Sequence, residues 1–249
     1  MSAELRHKQI LDTLEKNGAV SVRTLTATLF VSEATVRRDL RELERAGALK
    51  RTFGGAVPLV DTNRQVPLFI RSSIDSNAKS NICRQAAELV KDGDTVFVDG
   101  SSTAQYLAGY LAGRKDIIVV TYSIRNAELM CKNHIKTYCT GGLLIENSLV
   151  CTGQESIDFA KKINLDICFF SCKGLDVDGR LSDTSEEETL IRRAFIESSR
   201  TRVCLITKNK FGKRYFHTVC DSTDLDYIFS DGELPTSILV GREKDKRVL

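Results

Sequence analysis

Two adjacent arginines in Val31-Ser-Glu-Ala-Thr-Val-Arg-Arg-Asp-Leu40 can serve a polyanion if one helix presents them together. The flanking residues predict that helix: Ser32 has the side chain of an N-cap, Gly47 can close the far end, and Val36, Leu40 and Leu43 recur on one face. Thr35, Arg37, Arg38, Arg41 and Arg45 then fall largely off the buried stripe. A guanidinium keeps its charge and forks toward phosphate or guanine, so this face suits nucleic acid.

A second set of residues has the chemistry of an anion site. Asp99-Gly-Ser-Ser-Thr103 follows an apolar run, as do Thr121-Tyr122-Ser123, Gly141-Gly142, Lys173-Gly174 and Lys208-Asn209-Lys210. Hydroxyls, cations and free backbone N–H groups at strand ends and helix starts hold phosphate. The candidate effector residues are Asp99, Ser101, Ser102, Thr103, Thr121, Tyr122, Ser123, Gly141, Gly142, Lys173, Gly174, Glu188 and Lys210. For the first of these loops the simpler reading is helix capping by Ser102 or Thr103. Asp99, Glu188 and Lys210 also admit a catalytic reading, as the acid, base and cation of a sugar-phosphate isomerase.

The elements that must position the arginines lie in the first 57 residues. Leu5, Ile10, Leu11 and Leu14 have helical spacing, and Asn17-Gly18 marks a stop. Ser21 caps a short second helix with Val22, Leu25 and Leu29 inward, ending at Phe30-Val31. So short a connection to the next helix forces the pair to cross as a helix-turn-helix, with the second helix entering a major groove by its N-terminal end. "ALKRTFGGAV" then reads as a wing, with Lys50 and Arg51 reaching phosphates and Gly54-Gly55 permitting a tight turn. The DNA-binding candidates are Ser32, Thr35, Arg37, Arg38, Arg41, Lys50 and Arg51.

Pro58 and Pro67 place a linker over residues 58–75, between a DNA-binding domain at 1–57 and an effector domain at 76–249. Beyond the linker, β-rich runs ("TVFVD", "IIVVT", "IKTYCT", "DICFFSC", "RVCLIT", "LDYIFSD") alternate with helical ones. That alternation predicts a doubly wound, mostly parallel α/β sheet. Ligands of such sheets bind beyond the carboxyl ends of the strands.

The 249 residues are 42% hydrophobic, enough to bury a core. No apolar run approaches about 18 residues and no charged-then-apolar leader is present, so neither a membrane span nor secretion is expected and the cytoplasm is the default. Residues 1–57 carry ten Lys+Arg against seven Asp+Glu, which accounts for the whole net charge of +3. The eight cysteines include no CxxC pair and no histidine at ligand spacing, so they read as reduced, mostly buried thiols. No metal or cofactor is expected.

With these motifs in place, "VSEATVRRDLRELERAGALKRTFGGA" closely resembles the winged helix-turn-helix of the DeoR family of bacterial sugar-metabolism regulators. "DGSST", "VTYS", "TGG", "CKGLDVDGRLSD", "EEETLIRRAF" and "NKFGKRYF" resemble the family's effector domain, whose fold is similar to that of ribose-phosphate isomerase. Phe53 stands where the family usually has His, Ser101 where it has Gly, Tyr122 where it has Asn and Thr207 where it has Asp. The resemblance implies a transcriptional repressor that binds operator double-stranded DNA and is released by a phosphorylated sugar-type effector. A single winged module buries too little surface for specific binding, so a homodimer or homotetramer is expected.

Overall fold

The structure is a computed structural model that describes residues 2–58, 68–146, 148–235 and 238, apart from Ala46. The chain divides into two compact units, residues 1–74 and 75–249.

In the first unit α1 (Ala3–Asn17) starts where the Ser2 side chain accepts the Leu5 N–H, and it stops at Gly18. β1 (Val20–Ser21) leads into α2 (Val22–Leu29), capped by Ser21. Phe30 then turns the chain in the left-handed region, and α3 (Glu33–Arg45) follows. β2 (Leu49–Thr52) and β3 (Gly55–Pro58) pair antiparallel with Thr52 opposite Gly55, and β1 adds to the far side of β3. Ile10, Leu11, Leu14, Leu25, Leu29, Val36, Leu40, Leu43 and Leu49 make one core. Leu5, by spacing a partner of Ile10, is instead about half exposed.

The segment read as a linker is not uniform. Pro58 ends β3, residues 59–67 lie outside the described residues, and α4 (Leu68–Ser73) is a short helix of the first unit. Leu68 is buried and Ile74 packs on the first core. Prolines mark where regular structure stops, but these apolar side chains still find a surface to cover.

The second unit opens with α5 (Ser76–Ala86) and continues through β4 (Thr95–Val98), α6 (Leu107–Leu111), β5 (Ile118–Thr121), α7 (Ile124–Lys132) and β6 (Lys136–Cys139). A hairpin of β7 (Leu143–Ile145) and β8 (Val150–Thr152) precedes α8 (Gln154–Lys161) and β9 (Leu165–Phe170). β10 (Gly174–Leu175), β11 (Arg180–Asp183), α9 (Glu186–Glu197), β12 (Ser199–Ile206), β13 (His217–Asp221) and β14 (Tyr227–Ser230) complete it.

Six strands form one parallel sheet in the order β14-β12-β9-β4-β5-β6. Its side chains alternate between two cores. Phe97, Cys168, Phe170, Cys204 and Ile206 face α8 and α9, whereas Val96, Val98, Ile167, Phe169, Val203 and Leu205 face the α5 and α7 side. Burial on both faces makes the inner strands continuous apolar runs, as read from the sequence, whereas the edge strand β6 is largely exposed. β4 comes first and lies centrally; the chain winds out through β5 and β6, then returns to β9 on the other side. The crevice between the carboxyl ends of β4 and β9 is therefore the topological switch point. A small antiparallel sheet, β10-β11-β13, covers residues that the sequence reading left as loops.

Candidate functional site

At the start of α3, Ser32 Oγ accepts the Thr35 N–H at 3.2 Å, and the two hydroxyls lie 3.0 Å apart. Both candidate residues are thus engaged in the cap. Arg37, Arg38 and Arg41 project into solvent, and Arg37 reaches back to Glu33 at 3.3 Å across an exposed turn. In the wing Lys50 is exposed, while Arg51 is held: its N–H donates to Glu44 Oε1 at 2.9 Å and its guanidinium lies 3.7 Å from Glu44 Oε2. The glycine pair acts differently from the tight-turn reading. Neither Gly54 nor Gly55 has a positive φ, and a Cβ on Gly55 would stand 1.8 Å from the Val20 carbonyl oxygen. Gly55 is required by the close approach of β1, not by the turn.

Sequence reasoning missed what fixes α3 in place. Asp39 is wholly buried and accepts from Arg6 Nε at 2.6 Å and Nη2 at 2.9 Å, a two-pronged pair joining α1 to α3. The hydrogen bond to Asp39 holds the Arg6 guanidinium above its ordinary pKa. A legible signal existed: Asp39 lies three residues after Val36 and four before Leu43, on the apolar stripe, and Arg6 precedes Ile10 by one turn. Opposite charges on two inward stripes call for each other.

At the switch point Asp99 is also wholly buried. Its Oδ1 accepts the Ser101 N–H at 3.0 Å and its Oδ2 the Ser171 N–H at 2.9 Å, so one carboxylate ties the ends of β4 and β9 together. Arg192 of α9 stands 3.4 Å from Asp99, 3.2 Å from Asp183 and 3.7 Å from Glu188. Burial acts to lower the Arg192 pKa, but Tyr122 and these three carboxylates outweigh it and hold the group well above its ordinary value. Lys210 Nζ donates to Ser171 Oγ at 2.9 Å. Lys173 Nζ donates to Thr184 Oγ1 at 2.6 Å, just beyond Asp183.

The loop after β4 holds a further cation. Lys79 of α5 is buried, and its Nζ lies 3.3 Å from Ser102 Oγ. It occupies the same helical stripe as Ile82, Cys83 and Ala86, where a lysine is out of place unless something polar meets it. The helix expected after this loop begins as a 3-10 turn, Ala104–Tyr106, and Ser101, rather than Ser102 or Thr103, accepts its first N–H, from Ala104 at 3.1 Å. Thr103 Oγ1 is buried with no hydrogen-bond partner among the described residues.

The remaining candidates are dispersed. Thr121 Oγ1 accepts the Ser123 N–H, and Ser123 caps α7. Tyr122, expected to wall a pocket, has no exposed surface: its ring packs with Phe97 and Phe195 in the core, and burial pushes its hydroxyl pKa up. Gly141 is exposed. Gly142, at a φ of 115°, leaves room for the Thr152 carbonyl, and Gly174 does the same for that of Lys213. The structure thus links Asp99, Ser101, Ser102, Glu188 and Lys210, through direct contacts that also involve Lys79, Ser171, Asp183 and Arg192, around the carboxyl ends of β4 and β9.

Two family models match the chain: a DeoR-like helix-turn-helix domain over residues 6–61 and a DeoR C-terminal sensor domain over residues 74–232. Among similar proteins, YulB, an HTH-type transcriptional regulator of Bacillus subtilis, is 31% identical over 98% of this chain and 95% of its own. The glycerol-3-phosphate regulon repressor of Escherichia coli is 29% identical over 96% and 95%, and the L-fucose operon activator of Haemophilus influenzae 31% over 94% of each. A ribose 5-phosphate isomerase from Methanocaldococcus jannaschii superposes at a TM-score of 0.43, with 16% identity over 55% of each chain. No helix among the described residues is long and apolar enough to cross a membrane. The chain belongs to the DeoR family of DNA-binding transcriptional regulators of sugar metabolism.

Proposed function

We propose that this regulator represses carbohydrate-metabolism genes and that a phosphorylated sugar or related metabolite, bound at the carboxyl ends of β4, β9 and β12, releases it from its operator. The observation that carries the reading is the pair of ammonium groups, Lys79 and Lys210, each set on a serine hydroxyl next to the strand ends that Asp99 joins. Lysine offers phosphate a point charge with three donors, and the serine hydroxyls complete its oxygens. Asp183 and Glu188, on the far side of Arg192, are acceptors suited to sugar hydroxyls. On the DNA side Arg37, Arg38 and Arg41 enter the major groove and Lys50 touches phosphate.

The same geometry argues against catalysis. The acid of a catalytic set must carry a proton to its substrate, yet both oxygens of Asp99 already accept backbone N–H groups and the carboxylate itself has no exposed surface. The protein acts in the cytoplasm as a homodimer or homotetramer on paired half-sites. Purified protein and DNA from upstream of its own gene test the reading by fluorescence anisotropy against phosphorylated and unphosphorylated sugars, with product analysis of the same mixtures. A phosphorylated member should release the DNA unchanged in structure. Turnover of a pentose or hexose phosphate, or release by the unphosphorylated sugars alone, contradicts it.

A further inference from the structure

We infer that His7, Asp39 and Glu42 form a binding site for a divalent first-row transition-metal ion that pins α1 to α3. The three residues come from two helices: His7 from α1, and Asp39 and Glu42 one turn apart on α3. His7 Nε2 is 3.5 Å from Asp39 Oδ1 and 3.5 Å from Glu42 Oε2, and the three ligand atoms lie within 4.8 Å of one another. The His7 side chain is 9% exposed, and its Nε2 is buried with no hydrogen-bond partner among the described residues. Both carboxylates stand at ion-pair distance but beyond hydrogen-bond reach of this nitrogen, a spacing that leaves room for an ion between the three groups.

The spacing says which. An N–H···O hydrogen bond spans about 2.7–3.2 Å, shorter than either separation. Two ligand atoms on one tetrahedral ion, each about 2.0–2.2 Å from it, stand about 3.3–3.6 Å apart. Both 3.5 Å separations fit ligands of a shared ion. Imidazole with carboxylate oxygens is a donor set for Mn(II) through Zn(II) rather than for Ca(II) or Mg(II), which take oxygen.

Arg6 competes for Asp39 without closing the site. It uses Oδ2 and one direction of Oδ1, and a carboxylate has about four lone-pair directions. Two carboxylates facing one guanidinium keep a net negative charge, which favours a dication. Glu42, half exposed, is the arm that can adjust, and its i−4 neighbour on the α3 surface is the exposed Arg38. An ion here thus neutralises carboxylate charge on the flank of the helix that presents the arginines.

Co(II) titrated into the full chain is the probe, because its visible d–d absorption reports binding and its sulfur-to-metal charge-transfer absorption exposes any capture by the cysteines. The wild type should bind one Co(II) per chain without the sulfur band and melt at a higher temperature with the ion than without. His7→Gln should lose both effects. Glu42→Gln, at a half-exposed position where folding is not at stake, should lose them too. A wild type whose Co(II) spectrum shows only sulfur ligation, or shows no binding, overturns the inference. So does retention of the d–d absorption at one equivalent in Glu42→Gln and His7→Gln.

Discussion

Replacing Arg6 with Met keeps the aliphatic stem and removes the guanidinium that satisfies Asp39. Asp39 has no exposed surface and accepts two charge-assisted hydrogen bonds from this one partner, at 2.6 and 2.9 Å. Stranding one member of such a pair costs about 3–5 kcal/mol, a large share of the ~5–15 kcal/mol that holds a domain together. For a unit of this size about 1 kcal/mol moves the melting point by ~4–8 °C, so the first unit should melt at least ~12 °C lower. Hydrogen exchange read on peptides of α1 and α3 localises the effect, and peptides of the six-stranded sheet act as the internal control. Arg6→Met combined with Asp39→Leu should recover much of the loss, because an apolar pair of similar volume strands no charge. A single Arg6→Met variant within about 1 kcal/mol of wild type would refute the claim that this pair secures α3.

Three further outcomes follow from named contacts. Arg38→Ala should reduce the salt dependence of operator binding by about one unit of slope if it meets phosphate, or cost ~1–3 kcal/mol of discrimination at one base if it meets guanine; unchanged binding removes it from the interface. Gly55→Ala should destabilise the wing by about 1–3 kcal/mol, because the new Cβ meets the Val20 carbonyl at 1.8 Å, whereas Gly54→Ala, with no atom within 4 Å, should change little in urea unfolding. Desolvation of its sulfur, with Cys151 beside it, pushes the Cys139 thiol up to about 11 although the residue as a whole is exposed. Its thiolate is therefore scarce at neutral pH, and its alkylation, followed by peptide mass spectrometry, should keep accelerating up to about pH 11; a plateau near the ordinary thiol range contradicts this.

The large features were legible because they repeat. The inner strands of the parallel sheet, buried on both faces, leave apolar runs that the exposed edge strand β6 lacks, and α3 shows its cap, stripe and stop. The β7–β8 hairpin and the β10-β11-β13 sheet escaped, being two to five residues long with no clear alternation. In the crevice, reading strand ends by composition selected Lys173-Gly174. Yet β9 ends at Phe170, so Ser171 is the residue that meets Asp99 and Lys210. Lys79 and Arg192 belong to no strand end, and what marks them is that each sits on an apolar stripe and is buried. Tyr122 was placed by its position after β5, but period-two alternation sends its ring inward beside Phe97. Pairings such as Arg6 with Asp39, across 33 residues, carry no local pattern at all.

If the strand ends around Asp99 read a phosphorylated effector and the other unit reads DNA, one variant should separate the two functions. The direct measurement is a titration of the releasing sugar phosphate into operator-bound wild type and Lys210→Ala, followed by fluorescence anisotropy. Lys210 donates to Ser171 at 2.9 Å, and removing a charge-assisted hydrogen bond to phosphate is worth ~1.5–3 kcal/mol, or about ten- to a hundredfold in effector affinity. Operator affinity without effector should be unchanged and the release curve displaced by that factor, since a ligand shifts the equilibrium only through its differential affinity for the two states. A wild-type release curve, or loss of operator binding before any effector is added, would contradict this.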